Sequence, residues 1–380
     1  MKVIVVLPYL TSLGGATRYG WELSEYLARQ GDNVIIASLH SDKNIFHSKE
    51  SIQFADLADE VSFPQSVKYW LSLGKIRKRL SHLVKDERPD VIIFINFPTS
   101  MWASDYGDIP VIFCPLDIQL LYSSRADHLS LGKYWLWRIL RIIIRIYEKK
   151  KWQHCNEVIA ISKFTAKHIS KVYKINPTVI YCGTDTKFFI PNDLVSKEKV
   201  ILLMADHKTR RVEFFLTNIR KIYQKRKDFE IWIVGSKGDY HKKLTDLVTR
   251  YDIDECVKFF GRVSNSKLVS LYSKSLVFVH LQKIHSFGLV FIEAMSCGTP
   301  VIACKPGATE EIIQHGETGF LIHENDSNSL INCVEKLLDD PDSSIIMGRK
   351  GRLRVEKFFE NSTQYKKIRN LMIERINKKS

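Results

Sequence analysis

The sequence contains little that would place the protein in a membrane or outside the cell. No run approaches the roughly 18 apolar residues of a transmembrane helix, since even the apolar segment Trp135 to Tyr147 is interrupted by three arginines. The start, MKVIVVLPYL, is broken too early by Pro8 to predict a signal peptide. The seven cysteines form no CxxC pair and no zinc-type spacing. We therefore expect reduced thiols and a cytoplasmic location.

Acidic residues are scarce relative to basic ones. The 380 residues include 57 Lys and Arg against 42 Asp and Glu, which gives a net charge of +15 and a pI of about 9.3. This balance favours an anionic partner: a nucleic acid, an acidic membrane surface or a phosphorylated substrate. Charge is the only feature that supports nucleic acid, because no RNA- or DNA-binding motif is present. We expect no nucleic-acid partner.

The apolar segments alternate between strand and helix patterns. Val3 to Leu7 predicts a buried parallel strand, which is followed by a Gly14-Gly15 loop and a helix from about Ala16 to Gln30. This order is typical of a Rossmann-like half, although the full GxGxxG fingerprint is missing. Two adjacent glycines let a backbone N–H approach a phosphate. A plain turn explains them equally well.

A polar segment, Pro191 to Lys199, predicts a linker between two α/β halves of similar size. The predicted fold class is α/β, with two facing Rossmann-like domains and a cleft between them. The predicted domains are residues 1–191 and 192–355. A C-terminal helix in 356–380 is expected to pack back toward the first domain.

The segment from His285 to Glu311, HSFGLVFIEAMSCGTPVIACKPGATEE, carries the strongest site signal. It predicts a helix that is apolar on all sides, with Glu293 in its middle and Gly298 at its end. A buried carboxylate needs a partner. That partner is either the vicinal hydroxyls of a ribose or, in a structural role, a Lys or Arg. Free N–H groups at the helix start suit a phosphate, so the segment can form a nucleotide site.

Two basic helices are predicted in the first half. One covers Lys68 to Asp86, and the other, Lys133 to Trp152, alternates arginines with isoleucines and has tryptophans near one end. The second pattern is typical of a helix at a membrane surface. The alternative is an ordinary helix whose apolar face packs on the sheet. The basic residues are Lys75, Arg77, Lys78 and Arg79 in the first helix and Arg138, Arg141, Arg145 and Lys149 in the second.

In this order and spacing, the motifs resemble those of family 4 glycosyltransferases, which have the GT-B fold. The resemblance covers nearly the whole chain, and each motif is short. The motifs are Gly14-Gly15, Val158 to Ser162, Gly183-Thr184-Asp185, Ile233-Val234-Gly235, Val257 to Val263, Ser286 to Leu289, Glu293-Ala294-Met295, Gly298 to Ala303, Glu310-Glu311-Ile312 and Gly316 to Leu321.

The resemblance implies transfer of a sugar from a nucleotide diphosphate sugar, usually with retention of the anomeric configuration. It implies that Glu293 binds the donor ribose and that Gly15 gives an N–H to the diphosphate from across the cleft. It implies no metal and no other cofactor, since helix ends and basic side chains stabilise the leaving diphosphate instead. The remaining donor-site residues that it implies are Gly14, Arg210, Arg211, Val263, Phe287, Gly288 and Leu289.

The sequence departs from the family pattern at three places. The first of the family's paired glutamates falls on His285, which would bind a sugar hydroxyl or the phosphate, or be merely exposed. The usual Gly-Arg becomes Ala205-Asp206, and the Lys that follows is replaced by Arg210 or Arg211. The usual His-Asp becomes Leu116-Asp117. The candidate catalytic residues are accordingly His285, Arg211 and, on the acceptor side, Asp117.

The sequence thus predicts a cytoplasmic glycosyltransferase at the inner face of the cell membrane. It would move a hexose-type sugar to a lipid-linked or oligosaccharide acceptor in surface polysaccharide or lipopolysaccharide biosynthesis. The basic helices would hold it to an anionic membrane surface. The three departures leave one alternative, a non-catalytic nucleotide-sugar-binding homologue or partner subunit.

Overall fold

The computed structural model describes residues 1–10, 14–42, 46, 50–58, 67–96, 98–115, 142, 146, 149–153, 155–192, 196–235 and 238–378. The chain forms two compact units, one of Met1–Cys182 with Ser362–Ser380 and one of Gly183–Asn361. The chain therefore changes unit after Cys182 and after Asn361, whereas composition placed the boundaries after residues 191 and 355.

The first unit is built on a parallel sheet. The apolar run of its first strand is almost completely buried, as expected for a strand covered on both faces. Its strands are β1 (Lys2–Leu7), β2 (Asn33–Ser38), β3 (Ile52–Asp56), β4 (Val91–Ile95), β5 (Val111–Cys114), β6 (Glu157–Ala160) and β7 (Thr178–Val179). Its first helices are α1 (Gly15–Arg29), α2 (Val67–Glu87) and α3 (Lys163–Tyr173). The strand order is β3-β2-β1-β4-β5-β6-β7, and every pair is parallel.

The second unit repeats this architecture. Its strands are β8 (Glu198–Met204), β9 (Glu230–Val234), β10 (Val257–Gly261), β11 (Ser275–His280), β12 (Val301–Lys305) and β13 (Gly319–His323). Its helices are α4 (Val212–Tyr223), α5 (Asp239–Arg250), α6 (Asn265–Lys274), α7 (Leu289–Ser296), α8 (Thr309–Ile312), α9 (Ser327–Asp339) and α10 (Pro341–Phe358). The strand order is β10-β9-β8-β11-β12-β13, again all parallel. The prediction of two Rossmann-like α/β units is confirmed.

The predicted linker, Pro191 to Lys199, lies within the second unit, and so do the residues from Gly183 to Ile190, which the sequence analysis assigned to the first domain. Phe189 is fully buried, and its carbonyl accepts a hydrogen bond of 2.5 Å from Ser296 Oγ. Thr184 N donates to Phe359 O at 2.9 Å, and Asn361 N donates to Thr184 O at 3.1 Å. Composition did not reveal these contacts, because they join residues more than 100 positions apart.

The C-terminal helix α11 (Asn361–Asn377) lies almost entirely within the first unit. Arg369 makes a two-point ion pair with the buried Asp32, at 2.7 and 3.1 Å. Such a bidentate pair fixes the position of a helix as well as adding energy. Arg375 also pairs with Glu157, where its Nε and Nη2 donate to the same oxygen, Oε2. The preceding helix α10 runs to Phe358 in the second unit, so α11 begins later than residue 356.

None of the helices within the described residues is long and apolar enough to cross a membrane.

Candidate active site

The strand order of the second sheet defines where a ligand is expected. From β8 the chain adds β9 and β10 on one side, and then crosses to place β11 on the other side of β8. Ligands of open α/β sheets bind outside the carboxyl ends of the strands at such a switch point. The carboxyl ends of β8 and β11 lead into Ala205-Asp206 and into the loop before α7. The candidate site is built from these two loops.

The glycine at the start of α7 fixes the geometry of the second loop. Gly288 has a φ of +113°, and a Cβ there would lie 2.5 Å from the ring of Phe291. Both observations require glycine at this position. The helix begins at Leu289, and Phe287 before it is buried. At the other end Gly298 has a φ of +70°, the left-handed stop that the sequence predicts.

Glu293 lies in the middle of α7, among side chains that are buried from Phe291 to Ser296. Its own side chain is buried as well. Burial raises the pKa of the neighbouring Cys297 thiol, and the negative charge of Glu293 raises it further. The predicted buried carboxylate is therefore present in a helix that is apolar on all sides. Its contact with a ribose stays a prediction.

His285 is buried, with 6% of its surface exposed, so the reading of an exposed side chain is wrong. Its ring lies 4.8 Å from the ring of Phe291 and 5.1 Å from that of His280. Within the described residues, Nε2 is buried without a hydrogen-bond partner. Burial lowers the pKa of His285 to about 3, and the charge of Arg210 acts in the same direction. The imidazole is neutral at physiological pH.

His280, the last residue of β11, is a site residue that the sequence analysis missed. Burial lowers its pKa well below the usual range, with smaller contributions from His285 and Arg210, so it is also neutral. Arg210 Nη1 lies 3.4 Å from Nε2. A guanidinium only donates, so Nε2 accepts and the proton is on Nδ1. In the part of the chain described, Nδ1 is buried without an acceptor.

Arg210 links the two loops of the site. Its Nε donates to Asp206 Oδ1 at 2.6 Å, and its Nη2 donates to Asp206 Oδ2 at 2.9 Å. Its Nη1 donates to Gln282 Oε1 at 2.6 Å. The pKa of Asp206 is lowered, because the hydrogen bonds and charge of Arg210 outweigh the opposing effect of burial. The sequence departure at Asp206 therefore places a carboxylate directly on the predicted phosphate-binding arginine.

Arg211 points away from this cluster. It adopts a left-handed backbone with a φ of +59°, which turns its side chain toward the carboxyl end of β13. There Nη2 donates to Asn325 Oδ1, and Nη1 lies 3.4 Å from Glu324 Oε1. Glu324 also pairs with Lys283 at 2.6 Å. The two arginines that the sequence treated as interchangeable thus reach different strands.

The remaining predicted residues fall in three places. Val263 follows the carboxyl end of β10 and is half-buried, as is Leu289. Gly14 and Gly15 lie in the first unit, where Gly14 directly precedes α1 and Gly15 is its first residue. A Cβ on Gly14 would meet nothing within 4 Å, and its φ of −70° suits any residue, so neither packing nor the turn requires glycine there. Asp117, with Arg138, Arg141 and Arg145, lies outside the described residues.

Among the residues that the structure describes, no group of three or more His, Cys, Asp or Glu is placed to hold a metal ion.

Comparisons with known proteins agree with this architecture. A family model described as "Glycosyltransferase Family 4" matches residues 13–188, and one described as "Glycosyl transferases group 1" matches residues 185–354. An uncharacterized glycosyltransferase of Haemophilus influenzae is 25% identical over 94% of this chain and 96% of its own length. Several other curated relatives match over only about half of their own length.

Solved structures of glycosyltransferases have the same fold. Anabaena Alr3699/HepE in complex with UDP-glucose superposes with a TM-score of 0.76 and 17% identity, over 98% of this chain and 100% of that one. WaaG, a glycosyltransferase involved in lipopolysaccharide biosynthesis, superposes with a TM-score of 0.73 and 14% identity, over 97% and 99%. With one family model on each half and this fold over the whole length, the chain belongs to the family 4 glycosyltransferases and is a glycosyltransferase of the GT-B fold.

Proposed function

We propose that this enzyme moves a hexose-type sugar, with retention, from a nucleotide diphosphate sugar to a lipid-linked or oligosaccharide acceptor in surface polysaccharide or lipopolysaccharide biosynthesis. The observation that carries the proposal is the buried Glu293 in a helix that opens at Gly288 beside the switch point of the second sheet. Its fold neighbours HepE, solved with UDP-glucose, and WaaG support the donor class and the pathway class.

Each part of the donor has a proposed partner. Glu293 accepts hydrogen bonds from the ribose hydroxyls. The backbone N–H groups of Phe287, Gly288 and Leu289 bind the diphosphate, and the positive end of α7 stabilises the charge that develops as it leaves. His285 binds a sugar hydroxyl through its neutral imidazole. The transition state is oxocarbenium-like, and no metal is needed because backbone dipoles and Arg210 carry the charge stabilisation.

A screen of nucleotide sugars tests the donor. A ligand that binds only the folded protein stabilises it, by about 2.7 kcal/mol at a concentration of 100 times its dissociation constant. We expect one group of UDP-, GDP-, ADP- or dTDP-sugars to raise the melting temperature, and that donor to be consumed in the presence of a lipid acceptor extract. A protein that no nucleotide sugar stabilises would contradict the proposal. A protein that binds a nucleotide sugar but neither transfers nor slowly hydrolyses it would favour the non-catalytic alternative.

We further propose that the enzyme acts at the cytoplasmic face of an anionic membrane, which it contacts through the first unit. In an ordinary domain helix, the isoleucines of the 133–152 segment would be covered by the sheet. Ile142 and Ile146 are instead 53% and 57% exposed. On α2, Leu71 is 79% exposed, and Lys78 and Lys85 on the same face are exposed too. Exposed apolar groups among cations suit an anionic lipid surface.

Vesicle sedimentation tests the membrane contact. We expect the wild type to sediment with vesicles that contain anionic lipid and to lose most of this binding when Ile142 and Ile146 are changed to Ser. A matched control changes Ile346 and Leu353, which are similarly exposed on α10 of the second unit, to Ser. Equal sedimentation of all three proteins would show that the first unit does not provide the membrane contact.

A further inference from the structure

Arg210 has almost no hydrogen-bonding capacity left for a ligand. A guanidinium carries five N–H donors in a fixed plane. One N–H donor on Nε and one on Nη2 of Arg210 point at the two oxygens of Asp206. The two N–H donors on Nη1 are directed at Gln282 Oε1 and His280 Nε2. One N–H donor remains. The arginine that the site offers to a diphosphate is therefore already occupied by a carboxylate.

Asp206 is placed where it meets an incoming anion. It follows β8 at the switch point, and its side chain is 52% exposed. The carboxylate offsets the positive charge of Arg210 at the edge where a diphosphate is expected. By contrast, Gln282 and His280 are neutral, so they orient Arg210 without repelling a bound anion.

We propose that Asp206 sets the affinity of the donor site, because it competes with the diphosphate for Arg210. The inference rests on the proposed function, since it concerns the same nucleotide diphosphate. When the diphosphate binds, it either displaces Asp206 from Arg210 or shares the guanidinium with it. Both outcomes weaken the binding of the donor and also of the nucleoside diphosphate product, which must leave before the next cycle.

The second unit contains a matched pair that serves as a control. Arg226 Nε donates to Asp228 Oδ1 at 2.6 Å, and Arg226 Nη2 donates to Asp228 Oδ2 at 2.8 Å. This geometry is nearly the same as that of the Arg210–Asp206 pair. Asp228 precedes β9, however, and so lies at the amino end of the sheet, opposite the candidate site. The same substitution at both positions separates a local effect from a general change in charge.

The experiment measures binding of UDP and GDP by calorimetry. Asp206→Asn keeps an acceptor oxygen for Arg210 and removes the negative charge. We expect it to bind the preferred diphosphate about three to ten times more tightly than the wild type at low salt, and the gain to shrink at high salt because exposed charges are screened. Asp228→Asn should bind as the wild type does. Melting temperatures of both variants verify that they are folded.

A double-mutant cycle tests the competition itself. In an Arg210→Gln background there is no arginine to compete for, so Asp206→Asn should improve binding by a smaller factor than in the wild type. An equal factor in both backgrounds would overturn the inference. Equal affinity of the wild type and Asp206→Asn would also overturn it, while the proposed function stands. If neither protein binds UDP, GDP or any other nucleoside diphosphate, both proposals fail.

Discussion

The two parallel sheets share a strand order but differ in what they carry at their switch points. The order β3-β2-β1-β4-β5-β6 in the first unit corresponds to β10-β9-β8-β11-β12-β13 in the second. Among the described residues, the second residue after β1 and the last residue of β4 are the uncharged Tyr9 and Ile95. In the second unit the same positions lead into the network of Asp206, Arg210 and His280.

The difference shows that topology creates a place for a ligand, whereas side chains decide which ligand occupies it. Both sheets provide a crevice at the carboxyl ends of two adjacent strands. The second unit adds charged groups and buried neutral imidazoles, which suit a phosphorylated sugar. The described residues at the corresponding positions of the first unit are uncharged, so we expect this crevice to contribute much less to the affinity for the donor.

The largest expected effect is that of Glu293. Glu293→Gln keeps the volume of the buried side chain but removes the charged acceptor that we assign to the ribose. Hydrogen bonds to charged groups contribute about 1.5–3 kcal/mol, so donor affinity should fall about 10- to 100-fold in calorimetry. Because Gln can also perturb the fold, urea unfolding of the free variant is measured in parallel. A stable Glu293→Gln protein with unchanged donor affinity would leave Glu293 with a structural role only.

Substitutions of Gly288 and Gly14, the glycines near the switch points of the two sheets, test the difference between the units. Gly288→Ala forces a side chain into a left-handed backbone and against Phe291, so we expect a loss of about 1–3 kcal/mol in the free energy of unfolding. Gly14→Ala has neither problem, and because the backbone angles suit alanine, we expect the free energy of unfolding to change by less than about 1 kcal/mol. If Gly14 allows close approach of a phosphate, its variant will lose donor affinity without losing stability. Unchanged affinity would identify the Gly14-Gly15 loop as a plain turn.

A smaller effect is expected in the pH dependence of stability. The folded-state pKa of His285 is about 3, below the ordinary value of about 6.5. Between these values the unfolded chain binds the proton and the folded protein does not. Stability therefore falls as the pH drops below about 6.5, at up to about 1.4 kcal/mol per pH unit for this histidine. His280 adds to the same trend.

Urea unfolding at pH 7, 6 and 5 measures this slope. His285→Gln should reduce it, and a substitution of the partly exposed His168 serves as the control. An identical slope in His285→Gln and the wild type would show that His285 is not a buried neutral group.

His285→Glu restores the family residue, and we expect it to lose turnover, because the new carboxylate would be buried beside Phe291.

Much of the fold could be predicted from the sequence because it depends on local patterns. Apolar runs such as Val3 to Leu7 became buried parallel strands, and Gly298 ends α7 in the left-handed conformation. The boundaries between the two units were harder to predict from the sequence. Phe189 falls in the predicted first domain, but its carbonyl is bound by Ser296 of the second unit, far along the chain.

The candidate site was predicted only where one segment contains it. His285, Gly288 and Glu293 belong to a single stretch, and their spacing was informative. His280 was missed because it ends an apolar strand and has no neighbouring motif. Its position at the carboxyl edge of β11 was the available signal, since titratable residues at that edge face ligands.

By itself, the sequence determined the two α/β units, the buried helix with its central carboxylate and the family. These features follow from periodicity, glycine conformation and motif order, which are properties of neighbouring residues. Only the tertiary structure decided that Asp206 holds Arg210 and that Arg210 contacts His280. It also decided that Arg211 turns toward Glu324 and that His285 is buried. The physical reason is that β8, β11 and β13 meet at one sheet edge, and the direction of a side chain there depends on backbone angles and on strands distant in sequence.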